Sequence, residues 1–234
     1  MKTIAIDTST RYMSIALLEG ERTKLEHHED AGIRHSEILV PTIKRMVDEV
    51  AWKLKDVDLF ALGIGPGSFT GLRISAAAVK AFALFLPARV VGVPSIDAIA
   101  HNAPAGHRFV APFLDAYKGK VYTCLYGSSE GLVRRIGEPA LVEARVFLAG
   151  LKNEVFFFGD GTTKYAQELE NCPLAGYDKA IDWHPRAATI GLLGIRRANM
   201  GNVDDPEALD PLYLHPKECD VSEEVLRKIK EKKA

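Results

Sequence analysis

The chain has 234 residues, of which 47% are apolar and 26% are charged, so it can bury a hydrophobic core and is not a disordered polymer. Its 30 Lys and Arg residues are balanced by 31 Asp and Glu residues, which excludes a global positive field for nucleic-acid binding. The three cysteines lack metal-ligand spacing and are odd in number, which predicts a reduced protein. We expect a cytoplasmic location, because the sequence shows neither an export leader nor a membrane-spanning apolar run.

The first hundred residues predict three strands followed by alternating helices and strands. Alternating and β-branched residues indicate the strands, and an apolar face at helical spacing indicates the first helix. The predicted elements are strands 3–6, 13–18 and 23–28, helix 36–54, strand 59–64, helix 72–86, strand 90–93, and a helix capped by Ser95 that ends at 101. This order predicts a ribonuclease-H-like lobe at 1–101, with helices on the faces of a mixed sheet.

The order of the first half repeats at 107–216, after a linker at 102–106 that contains Pro and Gly. The predicted elements are strands 109–114, 121–126, 132–142 and 155–158, a short helix near 146, helices 162–169 and 187–200, and an extended segment 206–216. Pairing 7–12 with 115–120 aligns a strand end, an acidic residue, a turn and the next strand. We therefore expect a second, degenerate lobe, a cleft between the lobes, and a basic helix or tail at 217–234.

The glycine-rich loop 65–71 is a candidate anion or nucleotide site, with Gly65, Gly67 and Ser68 as its candidate residues. It connects a strand to a helix, where free backbone N–H groups and the positive helix end favour an anion. The loop lacks the lysine of a Walker A motif and departs from the dinucleotide-binding pattern. Glycines that make a tight turn and let the helix pack closely are an equally good interpretation.

The turn at Asp7, Thr8 and Ser9 is the second part of this candidate site. Two-lobed phosphotransferases hold magnesium and phosphate at such a turn, whereas a turn stabilised by its own side chains is the alternative. In the second half, Asp115 is followed by Ala, Tyr and Lys, which leave little space for a phosphate. An independent kinase or ATPase activity is therefore disfavoured.

Histidines and candidate nucleophiles predict no further chemistry. His27 and His28 are neighbours on a strand and point to opposite faces, so together with His35 they are expected at the surface and not at a metal. The candidate nucleophiles, which lack a base and an orienting acid in the sequence, are Cys124, Ser68 and Ser95.

The helix at 72–86 is apolar on two sides. One row consists of Leu72, Ala76, Val79 and Ala83, and the opposite row of Ile74, Ala78, Ala81 and Phe85. Arg73 and Lys80 share the narrow polar side between the rows. A helix that is apolar on two sides needs two covers. The second cover is either a partner chain or another element of the same chain.

The chain resembles the TsaB (YeaZ) family, the non-catalytic subunit of the bacterial machinery that makes threonylcarbamoyladenosine in tRNA. The resemblance rests on IAIDTST at 4–10, HSEILVP at 35–41 and, above all, GPGSFTGLRI at 65–74, and it extends to PLYL at 211–214. The family continues the last motif with Arg, where this chain has His215. The resemblance implies an actin-like, two-lobed fold with duplicated mixed sheets and flanking helices, which has lost catalytic competence.

The resemblance also implies the partners. A TsaD-like catalytic subunit would bind helices of the first lobe, a TsaE-like ATPase would join the complex, and the chain alone would form a homodimer through the same surface. The residues expected at this surface are Leu39, Ile43, Leu72, Arg73, Ala76, Val79 and Ala83.

No cofactor, metal or membrane contact is expected, and tRNA would be met only through the complex. Whether ATP or ADP binds at the partner interface stays open, as does tRNA contact by the C-terminal lysines. The alternatives are an independent small-molecule kinase, a glycoprotease-like hydrolase, and a nucleotide-binding regulator of assembly.

Overall fold

The computed structural model describes residues 1–129 and 132–214. This part of the chain forms two mixed β-sheets with helices packed against them. None of its helices is long and apolar enough to cross a membrane. The tail predicted at 217–234, including its helix, and His215 lie outside the described residues.

The first sheet has five strands in the order β3-β2-β1-β4-β5. Its strands and the helices between them are β1 (Lys2–Asp7), β2 (Tyr12–Glu19), β3 (Arg22–Asp30), α1 (His35–Glu49), β4 (Leu59–Gly63), α2 (Phe69–Phe85), β5 (Arg89–Val93) and α3 (Ser95–Ala100). β1, β2 and β3 are antiparallel neighbours, whereas β4 and β5 run parallel to β1. α1 and α2 lie side by side on one face of this sheet, where their apolar sides close the largest core cluster.

The second sheet repeats this order as β10-β7-β6-β11-β12, with a hairpin of β8 and β9 beside β6. Its elements are β6 (Phe109–Asp115), β7 (Lys120–Thr123), β8 (Tyr126–Ser129), β9 (Leu132–Arg135), β10 (Ala140–Glu143), α4 (Ala144–Ala149), β11 (Val155–Phe158), α5 (Gly161–Lys164), α6 (Ala166–Glu170), β12 (Ala175–Tyr177) and α7 (Ala187–Asn199). The antiparallel and parallel pairings match those of the first sheet. The predicted α/β fold of duplicated mixed sheets is therefore confirmed.

Several boundaries differ from the prediction. The strand predicted at 121–126 is divided between β7 and β8, and the strand predicted at 132–142 is divided between β9 and β10. β12 has only three residues, which is too few for a periodic pattern to show. α2 begins at Phe69, because Ser68 caps it by accepting a hydrogen bond from the backbone N–H of Gly71.

α7 packs on the first sheet, opposite α1 and α2. Its Ile190 joins the cluster of Ala5 and Leu18, and Gly194 brings the helix close to Ala61. This placement differs from the expected second lobe of 107–216. The apolar side of α7 covers the sheet face that α1 and α2 leave open, so the chain returns to the first half after the second sheet is complete.

α3 joins the two halves. Its Ile96 belongs to the same buried cluster as Leu114 of the second sheet, and Asp97 accepts hydrogen bonds from the Tyr126 hydroxyl at 2.6 Å and from Arg135 at 2.9 Å. Ala98, on the same helix, belongs to the core between the first sheet and α7. The two sheets therefore share one buried helix.

Candidate functional site

Asp7 lies at the end of β1 and is enclosed by its own chain, with 1% of its surface exposed. One carboxylate oxygen accepts hydrogen bonds from the backbone N–H and the hydroxyl of Ser9 at 2.8 and 2.7 Å, and the other accepts one from Ser95 at 2.5 Å. Burial raises the pKa of Asp7, and the hydrogen bonds from Ser95 and Ser9 oppose this rise. The carboxyl group thus holds the β1 turn against the start of α3.

Ser95 connects this turn to the glycine-rich loop. Its hydroxyl accepts a hydrogen bond from the backbone N–H of Gly65 at 3.0 Å while it donates to Asp7. Its predicted role as a helix cap is wrong, because Pro94 occupies the N-cap position and the hydroxyl is used between separate elements. The candidate turn and loop are therefore brought together.

The glycine-rich loop lies directly on the β1 turn. The backbone N–H of Ser68 donates to the carbonyl of Ser9 at 2.7 Å, and the Thr8 hydroxyl donates to the carbonyl of Gly71 at 2.8 Å. A Cβ at Gly67 would overlap the Ser9 carbonyl, and one at Gly71 would overlap that of Thr8. The glycines therefore serve close packing of the loop on the turn, and the turn and loop fill the space between them.

Asp115, the counterpart of Asp7 in the second half, is held by a cation. One of its carboxylate oxygens accepts a hydrogen bond from the Lys164 ammonium at 2.7 Å, and the other accepts from the Tyr165 hydroxyl at 3.1 Å. The backbone N–H of Tyr117 also donates to this group at 3.0 Å, and the Tyr117 ring is 74% exposed. The carboxylate of this turn is therefore bonded to the chain's own donors, beside an exposed aromatic ring.

α3 contacts both β1 and β6. Ser95 contacts Asp7, while the next residue, Ile96, belongs to the same buried cluster as Leu114, which precedes Asp115. Both carboxylates are nevertheless occupied by donors of the chain itself. In residues 1–129 and 132–214, no group of three or more His, Cys, Asp or Glu side chains is placed to hold a metal ion.

The candidate nucleophiles have structural surroundings. Burial raises the pKa of the Cys124 thiol to about 11, so it is a thiol at neutral pH and not a reactive thiolate. The Ser95 hydroxyl is bonded to Asp7, and the Ser68 hydroxyl caps α2. These contacts explain the three residues without a hydrolytic reaction.

The expectation that the histidines lie at the surface is wrong for His35, and His27 and His28 are both partly buried. His35 is 5% exposed, and His28 is half-buried with its ring stacked on Tyr12 at 5.0 Å between centroids. Burial is the main cause that lowers the pKa of His28 to about 4, so this ring is neutral at physiological pH. The His28 ring is covered in part by its stacking on Tyr12, a contact that the strand pattern alone does not predict.

Most of the residues predicted to contact a partner belong to the internal core. Five are at most 6% exposed, namely Leu39, Ile43, Leu72, Ala76 and Val79. Ala83 is partly buried against the same core. This corrects their predicted role, because the first sheet and the packing of α1 on α2 cover these side chains. Arg73 is the member of the predicted set that is exposed.

The other side of α2 is open. Its outer face, as we define it, consists of Ala77, Ala81, Leu84 and Phe85. Leu84 is 70% and Phe85 86% exposed, which is unusual for large apolar side chains that are neighbours on one helix. Ala81 and Phe85 belong to the predicted opposite apolar row, whereas Ala77 and Leu84 belong to neither predicted row. The spacing of 77, 81 and 84 is the signal that identifies the continuous face.

The chain is similar to known proteins over most of its length. A family model for TsaD, a tRNA N6-adenosine threonylcarbamoyltransferase, matches residues 27–202. The tRNA threonylcarbamoyladenosine biosynthesis protein TsaB of Bacillus subtilis is 28% identical over 225 residues, which cover 94% of this chain and 96% of that protein. TsaB of Escherichia coli is 32% identical over 132 residues, which cover 56% and 57% of the two chains.

A solved structure shows the same fold. YeaZ from Pseudomonas aeruginosa is 30% identical to this chain and superposes with a TM-score of 0.79. The superposition covers 91% of this chain and 99% of YeaZ.

Proposed function

Because the chain belongs to the TsaB (YeaZ) family, we propose that it is a non-catalytic subunit that binds and stabilises a TsaD-like threonylcarbamoyltransferase. The family works in tRNA threonylcarbamoyladenosine biosynthesis, and so does this chain. The finer assignment to a scaffold depends on the contacts described above. It requires no bound cofactor in this chain.

The observation that carries the proposal is the outer face of α2. Leu84 and Phe85 are large, apolar and mostly exposed, and the small side chains of Ala77 and Ala81 let a second helix approach closely. A contiguous apolar surface of this kind favours a protein partner, because burying it removes apolar area from water.

The two strand-end carboxylates support the non-catalytic part of the proposal. Asp7 is bonded to Ser9 and Ser95, and Asp115 is paired with Lys164. A carboxylate that acts as a base or binds magnesium needs a free oxygen that faces the substrate. Neither group offers one in this arrangement.

The remaining partners follow from the same assignment. A TsaE-like ATPase would join the pair of subunits, and tRNA would be met only through the complex. The chain alone would form a homodimer through the outer face of α2. Self-association and binding of the TsaD-like subunit would then compete for one surface.

The proposal is tested with Leu84→Asp. We expect this variant to fold normally and to lose binding to the TsaD-like subunit by at least about 100-fold, since a buried charge without a partner costs several kcal/mol. Binding is measured by calorimetry, and threonylcarbamoyladenosine formation by the reconstituted subunits should fall with it. Val146→Asp is the matched control, because Val146 is also exposed, at 59%, but lies on α4 of the second half.

Two results would contradict the proposal. One is Leu84→Asp binding with unchanged affinity, which would place the partner elsewhere. The other is magnesium-dependent turnover by the purified chain alone that is lost in Asp7→Asn, which would make the chain an enzyme.

A further inference from the structure

Arg73 lies on the exposed flank of α2 against two aromatic rings, Phe69 and Tyr213, whose centroids are 5.2 Å apart. Its guanidinium carbon is 3.9 Å from the centroid of the Phe69 ring and 5.9 Å from that of Tyr213. Its Nε donates a hydrogen bond to the Tyr213 hydroxyl at 3.1 Å. Stacking and one hydrogen bond together fix the plane of the guanidinium before any partner arrives.

Tyr213 is itself anchored by the segment that follows α7. The backbone N–H of Leu212 donates to the carbonyl of Ile64 at 2.7 Å, and Leu209 is 8% exposed in the core beneath α2. Asp204 begins the segment with a β-bridge to Val90. The segment that leads into Tyr213 is therefore attached to the first sheet.

The two cations of α2 differ in their partners. Lys80 donates to the carbonyl of Glu207 at 3.0 Å and lies 3.8 Å from the carboxylate of Asp210. In the described ranges, no carboxylate forms an ion pair with Arg73, and α2 itself contains no acidic residue. The terminal N–H groups of Arg73 are thus left to donate hydrogen bonds to an outside anion, whereas Lys80 is already paired.

We propose that Arg73, held against Phe69 and Tyr213, donates hydrogen bonds to a carboxylate of the TsaD-like subunit when that subunit docks on the outer face of α2. The inference rests on the proposed function and adds the chemistry that the partner must supply, namely an apolar helix face with an Asp or Glu side chain beside it. A fixed guanidinium binds a carboxylate through two parallel hydrogen bonds at little further cost in side-chain entropy.

The surroundings favour a protein carboxylate over the phosphate of a nucleotide. Phe69 is 52% exposed beside Arg73, and Ala77, one turn further along α2, begins the outer face. Arg73 is therefore continuous with an apolar surface. A second copy that docked α2 against α2 would bring no carboxylate from that helix, so self-association should depend less on Arg73 than partner binding does.

The test compares three variants of the full chain in calorimetric titrations with the TsaD-like subunit. Arg73→Gln should weaken binding by about 10-fold to 100-fold, and Arg73→Lys should have a smaller effect, because an ammonium keeps the charge and loses the bidentate geometry. Lys80→Gln is the matched control and should stay within about 3-fold of the wild type, since Lys80 is paired within its own chain. The affinity of the wild type should fall more steeply with salt than that of Arg73→Gln.

Tyr213→Leu tests the positioning role of the ring. It should weaken binding, and its effect should largely disappear in the Arg73→Gln background, because both changes remove one interaction. A purely structural loss at Tyr213 would instead add to the effect of Arg73→Gln and leave the salt dependence unchanged.

The outcomes separate this inference from the proposed function. If Arg73→Gln binds the partner like the wild type while Leu84→Asp does not, the inference is wrong and the docking surface stands. If neither variant changes binding, both are wrong. If Arg73→Gln loses only affinity for ATP or ADP, titrated in parallel, the anion is a nucleotide phosphate and the inference is overturned.

Discussion

The two halves of the molecule share one strand order and differ in their helices. α1 and α2 of the first half have 15 and 17 residues, whereas α4, α5 and α6 of the second half have 6, 4 and 5. A helix of four turns can bury one side and present a continuous opposite side, while a helix of one or two turns exposes only one or two residues on that side. The sheet order therefore sets the architecture, and helix length sets how much apolar surface each half can present.

The halves also hold their strand-end acids differently. Asp7 is enclosed by hydroxyl and backbone donors, and Asp115 is paired with Lys164. Both arrangements occupy the carboxylate with donors of the chain itself. They do so by separate means, so the two sites respond differently to pH and salt.

The largest expected effect concerns a feature that the halves have in common. Gly71 lies against the carbonyl of Thr8, and Gly161 lies against that of Phe113, with no room for a Cβ at either position. We expect Gly71→Ala and Gly161→Ala each to lower the free energy of unfolding by about 3 kcal/mol in urea titrations. A methyl group at either glycine must push the loop away from its strand.

Gly137→Ala is the control, because a Cβ at Gly137 meets nothing within 4 Å. It should change stability by less than about 0.5 kcal/mol. A large loss from Gly71→Ala with none from Gly161→Ala would break the structural equivalence of the two halves.

A smaller effect should distinguish the two sides of the helices. Val79 of α2 is fully buried, and Val146 of α4 is 59% exposed. Val79→Ala should lower the free energy of unfolding by about 2 kcal/mol, and Val146→Ala by less than about 0.5 kcal/mol, because only the first leaves a cavity. If Val79→Ala instead leaves stability unchanged and weakens partner binding, the apolar row that contains Val79 faces the partner, as the sequence pattern predicted.

The sequence predicts the repeated sheets because their strands carry strong local patterns. It does not predict where α7 packs, since its apolar side fits a sheet face without specifying which sheet. The rows of α2 pose the same problem. Both rows are apolar and rich in Ala, so the pattern shows that two covers are needed and not which row faces the chain's own core.

The candidate site shows the same division between local and distant contacts. Asp7 and Ser9 are two residues apart, and their hydrogen bonds follow from a turn that the sequence predicts. Ser95 reaches Asp7 across 88 residues, and Tyr213 reaches Arg73 across 140. Such pairs depend on the assembled sheet, which is why Tyr213 was absent from the predicted site.

The smallest effects should come from the two acids and should sharpen their difference. Burial raises the pKa of Asp7 above its ordinary value of 3.8. Between this ordinary value and the higher pKa of the folded chain, the folded chain binds more protons than the unfolded chain. The wild type is therefore expected to lose stability as the pH rises through this window. Asp7→Asn has no such titration, so its stability relative to the wild type should improve with rising pH in urea titrations.

Asp115→Asn should respond to salt instead. Its ion pair with Lys164 joins side chains that are 15% and 45% exposed, respectively, so added salt reaches it. The stability difference between Asp115→Asn and the wild type should shrink from about 0.05 M to about 1 M salt, whereas that of Asp7→Asn should not, since its donors are uncharged. Identical pH and salt profiles for the two variants would mean that the two halves hold their acids in the same way. Asp7, which is buried with uncharged donors, and Asp115, which is in a partly exposed ion pair, cannot share both responses.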